Sequence, residues 1–267
     1  MQKLDVSNLN GLLNIEKTEV LDSYICENCQ REVTKTKVTY KNGRISTKTT
    51  GCVCADIKSA TETKIRRDTA KFYKSSIMPT GYENKRVRGY TAVTDSQKYA
   101  KEVTTSFIMN AETAIEAGQG ILYKGDFGTG KTHLALAIRN YLEEKEKKVL
   151  FVTLPDYLER IKEGYNGAKD NRALQTSYNI QNLARTADLL ILDDVGANNM
   201  TKWAIEQLFM LVNARKGKST IYTTNLTTDE FIKDKDLHRI YSRMTENNRE
   251  IEIYGEDKRK NANDFKF

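Results

Sequence analysis

With 267 residues, 39% of them hydrophobic and 30% charged, the chain holds enough apolar content for one substantial core and a small appendage. Two prolines and 15 glycines exclude collagen-like and Pro/Gly-driven disordered classes. A mean hydropathy of −0.63, the lack of any apolar run near the ~20 residues of a membrane span, and an opening MQKLDVSNLN without a signal-type apolar region make the cytosol the expected compartment and a membrane partner unexpected.

The net charge of +7 is unevenly spread: residues 31–88 hold 15 Lys and Arg against 5 Asp and Glu. Such a segment either attracts a polyanion such as nucleic acid or forms a solvated basic face.

All four cysteines, Cys26, Cys29, Cys52 and Cys54, come early in the chain. In a reducing compartment, Cys-x-x-Cys followed by a second close pair points to a closed, structural four-thiolate zinc site. A redox Cys-x-x-Cys pair and four unrelated thiols are the alternatives. Between the pairs, the Thr- and Val-rich stretch 33–50 with Asn42-Gly43 at its centre predicts a hairpin, hence a zinc-ribbon-like module that depends on its metal to fold.

Ile57, Ile65, Phe72 and Ile77 interleave with Arg66, Arg67, Lys71 and Lys74, which predicts a basic amphipathic helix over 56–77. The domain expectation is therefore a module over 1–77, a linker over 78–94 containing Pro79, Gly81 and Gly89, and a second domain over 95–267 that opens with a helix over 95–116.

Ile121-Leu122-Tyr123 reads as a strand, and Gly125-Asp126-Phe127-Gly128-Thr129-Gly130-Lys131-Thr132 follows it. His133 then begins a helical run. This is the phosphate-binding pattern in its required strand-to-helix setting: glycines let backbone N–H groups cradle phosphates, Lys131 reaches the β- and γ-phosphates, and Thr132 offers its hydroxyl to Mg²⁺. A second strand over 147–153 and a third over 188–194 come next, the third ending in Asp193 and Asp194. At a strand's carboxyl end Asp193 is placed to hold Mg²⁺ and Asp194 to orient the attacking water; the pair could instead cap a helix. A helix over 201–217 leads to a fourth strand ending at Asn225, which is either a sensor of the γ-phosphate or an ordinary loop-initiating residue. Arg239 and Arg243 share a short helix before a fifth strand over 249–255.

The motifs GDFGTGKTHLA, LLILDDVGA, TIYTTNL and RIYSRM together resemble the AAA+ ATPases of the DnaC/DnaI type, the replicative helicase loaders, and the related IstB-type transposition helpers. The resemblance covers roughly residue 79 to the end. It implies an α/β fold with a parallel five-stranded ASCE sheet of order 5-1-4-3-2 flanked by helices, no helical lid, closure that leans on a neighbouring subunit, and ATP with Mg²⁺ as cofactors beside the zinc. It also implies an arginine finger acting in trans, Arg243 with Arg239 in support, although exposed arginines here could as well pair with acids such as Glu246. The helices over 155–187 would contact single-stranded DNA through Lys162, Tyr165, Lys169 and Arg172, or else form a solvated pair. The N-terminal module favours the loader over the transposition helper. The resulting expectation is an ATP-dependent loader that docks a hexameric replicative helicase through its N-terminal module, binds single-stranded DNA and self-associates.

Overall fold

The computed structural model describes residues 14–78, 81–166, 171–196 and 200–259. The chain forms two compact units, Met1–Ile65 and Arg66–Phe267.

In the first unit β1 (Ile15–Ile25), β2 (Glu32–Tyr40) and β3 (Ile45–Thr50) form an antiparallel sheet in that order. The expected hairpin is β2–β3. Tyr40 N–H donates to Arg44 O, Gly43 N–H donates to Tyr40 O, and Gly43 takes φ 77°, so Gly supplies the left-handed residue that a three-residue loop requires. β1 was not expected. It is exposed along nearly its whole length, and only Val33 and Val38 of the sheet are buried. Two buried valines make too small a core to hold a module by itself. β1 also sets Asp22 and Glu19 opposite Lys35 and Lys37 in register, which offsets on this sheet much of the positive charge of the basic segment.

Helix α1 (Cys54–Ser75) runs from the first unit into the second. The boundary thus falls earlier than the expected residue 77, for a physical reason. Phe72 is buried in the second unit's core, Thr69 Oγ1 and the Tyr73 hydroxyl donate to the carbonyls of Glu146 and Lys147 at 3.1 and 2.6 Å, and Arg66 pairs with Glu146. Ile77 N–H then donates to Phe151 O, and Phe151 N–H to Ser76 Oγ. These bonds cover the outer edge of the sheet. Residues 78–94 are likewise packed, where a free linker was expected: Asn140 Nδ2 donates to Lys85 O at 3.0 Å, Arg86 pairs with Glu144 at 2.6 Å, and Tyr90 is buried. Pro79 lies outside the described residues.

The second unit is an α/β layer structure. β4 (Gly120–Gly125), β5 (Val149–Thr153), β6 (Leu189–Val195), β7 (Thr220–Thr224) and β8 (Asn248–Ile253) pair in parallel in the order β5-β6-β7-β4-β8. Counted within the unit this is 5-1-4-3-2, as the resemblance implies. Strand residues are buried on both faces, as a sheet covered by helices on each side demands. One face carries α2 (Asp95–Met109), α3 (Ala111–Glu116) and α4 (Lys131–Glu144), packed on Ile121, Tyr123, Phe151 and Ile191. The other carries α5 (Leu154–Asn166), α6 (Asn171–Thr186), α7 (Lys202–Ala214) and α9 (Lys235–Thr245), packed on Leu122, Val152, Leu190 and Leu192. The expected single helix over 95–116 breaks at Asn110. Helix α8 (Thr228–Lys233), begun by a Thr227–Glu230 capping box, was not expected. Among the described residues no helix follows β8, and no helix is long and apolar enough to cross a membrane.

Candidate nucleotide and metal sites

The chain leaves β4 through three left-handed glycines, Gly125, Gly128 and Gly130, and enters α4 at Lys131. A side chain at Gly130 would collide with the Tyr90 ring, and one at Gly128 with Asp257. Lys131 is buried, and its ammonium donates to the carbonyls of Gly125 and Asp126 at 2.8 and 2.6 Å. Burial brings Lys131 down to about 8, against the opposing pull of Asp194, Asp126 and Asp193. Its hydrogen-bonded acceptors are neutral carbonyls, so its charge is available to an anion entering the loop.

Behind the loop, Thr132 Oγ1 donates to Asp193 at 3.0 and 3.2 Å to the two carboxylate oxygens, and Thr223 Oγ1 donates to Asp193 Oδ1 at 2.6 Å. Burial pushes Asp193 up to about 6 while these hydroxyls hold it down. A hydroxyl and a carboxylate held side by side below a phosphate loop are the oxygen donors Mg²⁺ prefers. Asp194 is exposed, takes φ 61°, and receives a 3.4 Å hydrogen bond from Asn225 Nδ2. A break in the β6–β7 register between Leu192 and Val195 turns it out of the ladder.

Lys131, Thr132, Thr223, Asp194 and Asn225 face a cavity of about 690 Å³, of the size that holds a cofactor, while Asp193 lies buried behind Thr132 and outside its lining. Of the expected phosphate-loop residues, Phe127, Gly128, Gly130, Lys131, Thr132 and His133 line it, together with Asp194 and Asn225. Gly125 and Asp126 contribute the carbonyls that hold Lys131, and Thr129 is buried with its hydroxyl on Asp126 O.

Sequence reasoning missed the opposite wall. Tyr82, Lys85, Gly89, Tyr90 and Thr91, from the segment expected to be a linker, border the cavity, and so do Lys258 and Arg259. The Tyr90 hydroxyl donates to Thr129 O at 2.8 Å and its ring meets His133 edge-on. Lys258 N–H donates to Gly128 O at 3.2 Å, and its ammonium lies 4.2 Å from the Tyr90 ring centroid. The chain after β8 therefore brings two cations of the same protomer to a site whose closure was expected to lean on a neighbour. No local signal in 78–94 marks Tyr90; its partner is 39 residues away.

Arg239 and Arg243 lie elsewhere, on α9, and neither borders this cavity. The Lys162 ammonium sits 5.0 Å from the Trp203 ring centroid. Lys169 and the side chains of Tyr165 and Arg172 fall outside the described residues.

In the first unit the sulfurs of Cys26, Cys29, Cys52 and Cys54 all lie within 4.8 Å of one another. A zinc tetrahedron with ~2.3 Å bonds has sulfur–sulfur edges of about 3.8 Å, so the donor set and its spacing fit that ion. A tight turn builds the first pair, with Gln30 at φ 57° and Gln30 N–H donating to Cys26 O. The Cys29 N–H, the Cys52 thiol and the Asn28 N–H bring Cys26 down to about 7, while the Cys52 and Cys29 thiols push Cys54 up to about 12.

Comparison with known proteins agrees with this geometry. The family described as IstB-like ATP binding protein matches residues 61–264. The replicative helicase loader DnaI of Bacillus subtilis is 27% identical over 164 residues, covering 59% of this chain and 50% of that protein. DnaC of Escherichia coli K12, also a replicative helicase loader, is 26% identical over 166 residues, covering 61% and 63%. The chain thus spans less than two thirds of either relative. Among solved structures, that of the DnaC helicase loader is 28% identical with a TM-score of 0.54, covering 66% of this chain and 100% of that one. DnaI, at 22% identity and a TM-score of 0.54, covers 67% and 96% and bears on the fold. With three quarters of its length matched, including the phosphate loop, both aspartates and Asn225, this chain belongs to the IstB-like ATP binding protein family.

Proposed function

We propose that this chain is an ATP-dependent loader that binds a hexameric replicative DNA helicase and places it on single-stranded DNA in the cytoplasm. The observation that carries the reading is the coincidence, on one stretch of chain, of a glycine-rich loop with a buried lysine and a hydroxyl–carboxylate pair behind it, and of similarity to proteins named replicative helicase loaders. ATP enters the cavity with its phosphates on the loop, where Lys131 meets the β- and γ-phosphates. Thr132 and Asp193 would hold Mg²⁺, which would supply neutralisation of charge on the phosphates. Asp194 orients the attacking water and Asn225 holds the Asp194 carboxylate. Arg243, supported by Arg239, reaches the nucleotide of a neighbouring copy. The Cys₄ module, stabilised by zinc, docks the helicase, and α5 and α6 contact DNA.

Mixing the full chain with the host replicative helicase tests this: a complex on size exclusion together with ATP turnover raised by single-stranded DNA is expected. Asp194→Asn should bind ATP, form the complex and lose turnover, since the amide keeps the size and loses the base. No complex, or turnover indifferent to DNA, overturns the reading. One other reading is the IstB-type transposition helper that the sequence also resembles, for which capture of a transposase in place of the helicase would decide.

A further inference from the structure

Of the two arginines of α9, Arg243 is held by groups that leave its charge intact. The two sit one turn apart, a spacing at which like charges repel. Among the described residues Arg239 makes one ion pair, an exposed one with Asp236 at 3.8 Å, and Glu206 and Asp234 line the same hollow. Arg243 makes no ion pair among the described residues. Glu246, the acid expected to take it, engages Lys216 at 3.1 Å.

Neutral partners replace the missing acids. Both guanidiniums lie 4.8 Å from the ring centroid of Phe209 on α7, and Arg243 Nε donates to Asn213 Oδ1 at 3.3 Å. Phe209 and Asn213 are themselves one helical turn apart, so one face of α7 presents ring and amide together. The half-buried Phe209 packs against the core on the helical side that α7 and α9 share, which fixes its ring. A carboxylate would orient a guanidinium and also neutralise it. A ring quadrupole and an amide oxygen orient it while its full charge remains for an outside anion. Neither arginine borders the cavity of its own protomer, so an anion that met Arg243 would come from another molecule.

We infer that Phe209 and Asn213 are positioning residues: they hold Arg243 in the conformation in which it meets the triphosphate of a neighbouring copy. The inference rests on the in-trans reading above and supplies the device that reading lacks, a fixed yet uncompensated cation.

The test uses the full chain with the helicase and an oligo(dT) strand as stimulants, and reads ATP affinity, KM and kcat. Phe209→Leu keeps apolar volume and loses the ring face. It should lower stimulated kcat about two- to fivefold, the scale of one exposed cation–π contact, with KM and ATP affinity unchanged. Phe209→Tyr should restore kcat, and Asn213→Ala should lower it in the same direction. In an Arg243→Ala background Phe209→Leu should cost nothing further, because the group it positions is gone. The inference is overturned if Phe209→Leu turns over like wild type, or if its loss is equally large in the Arg243→Ala background, which marks a general packing role. If Arg243→Ala itself keeps full stimulated turnover, the in-trans reading falls and the positioning role with it.

Discussion

Thr223 gives the sharpest test of the proposed cation site, because one hydroxyl serves two functions there. It donates to Asp193 Oδ1 at 2.6 Å and accepts from Asp194 N–H at 2.9 Å. Asp193 already sits at about 6, raised by burial and held down by the hydroxyls of Thr223 and Thr132. Thr223→Val keeps the shape and deletes both bonds. A hydrogen bond to a charged group contributes about 1.5–3 kcal/mol, so losing it should raise the carboxyl a further one to two pKa units, to between about 7 and 8. The carboxylate is the form that holds a cation. At pH 7 the wild type would therefore be about nine tenths ionised and the variant about a tenth to a half, which weakens apparent Mg²⁺ affinity about two- to tenfold. At pH 9 both are ionised and most of the difference should vanish. Titrating Mg²⁺ against binding of a fluorescent ATP analogue at pH 7 and pH 9 measures this. Wild-type Mg²⁺ affinity for the variant at pH 7, or a deficit just as large at pH 9, would refute the assignment of Asp193 as a carboxylate tuned by Thr223.

Tyr90→Phe removes one buried hydrogen bond, to Thr129 O, and should cost about 1–2 kcal/mol, a fall in Tm of a few degrees for a domain of this size, with ATP affinity nearly kept. Tyr90→Ala also removes the ring that backs Gly130 and seats Lys258, and should weaken ATP binding as well, as the same fluorescent analogue would show. In the first unit, a chelator should melt residues 14–53 and spare the ATPase core, because two buried valines cannot replace the folding energy of a Cys₄ site. Hydrogen exchange resolves the two units, and elemental analysis should find close to one zinc per chain; less than about half an equivalent with no gain of structure on adding zinc would count against the site.

What the sequence made legible depends on how local each cause is. The phosphate loop is local: glycines that adopt positive φ, a lysine and a hydroxyl fall within eight residues, and a strand and a helix flank them. The hairpin at Asn42-Gly43 and the cysteine spacing are equally local. β1 escaped because almost none of it is buried, so no apolar period marks it. The break at Asn110 escaped because the apolar pattern continues across it into Ala111 and Ala114. The segment 78–94 read as a linker because Pro79, Gly81 and Gly89 punctuate it, whereas its fate is set by partners far along the chain, Glu144, Asn140 and Thr129. The same holds for Arg243: Glu246 was the acid expected nearby in sequence, but Glu246 pairs with Lys216 and Arg243 Nε donates to Asn213 on α7, 30 residues back in the chain.

Lys131 and Asp193 carry this contrast into a last prediction, since both are buried ions of opposite sign whose charges water no longer supports. Burial brings Lys131 down to about 8 and pushes Asp193 up to about 6. A bound triphosphate stabilises the ammonium and a bound cation stabilises the carboxylate, so occupancy raises the first value and lowers the second. Binding is then linked to proton uptake above pH 8 and to proton release below pH 6. Affinity for MgATP should be highest between about 6 and 8 and fall on both sides, approaching tenfold per pH unit on each limb. Lys131→Arg separates the limbs: a guanidinium stays charged throughout, so the alkaline fall should disappear while the acid fall remains, whatever the cost to absolute affinity. Affinity that is flat from pH 5 to 10 would show that neither buried charge is what the nucleotide reads, and an alkaline limb unchanged in Lys131→Arg would show that the Lys131 ammonium is not.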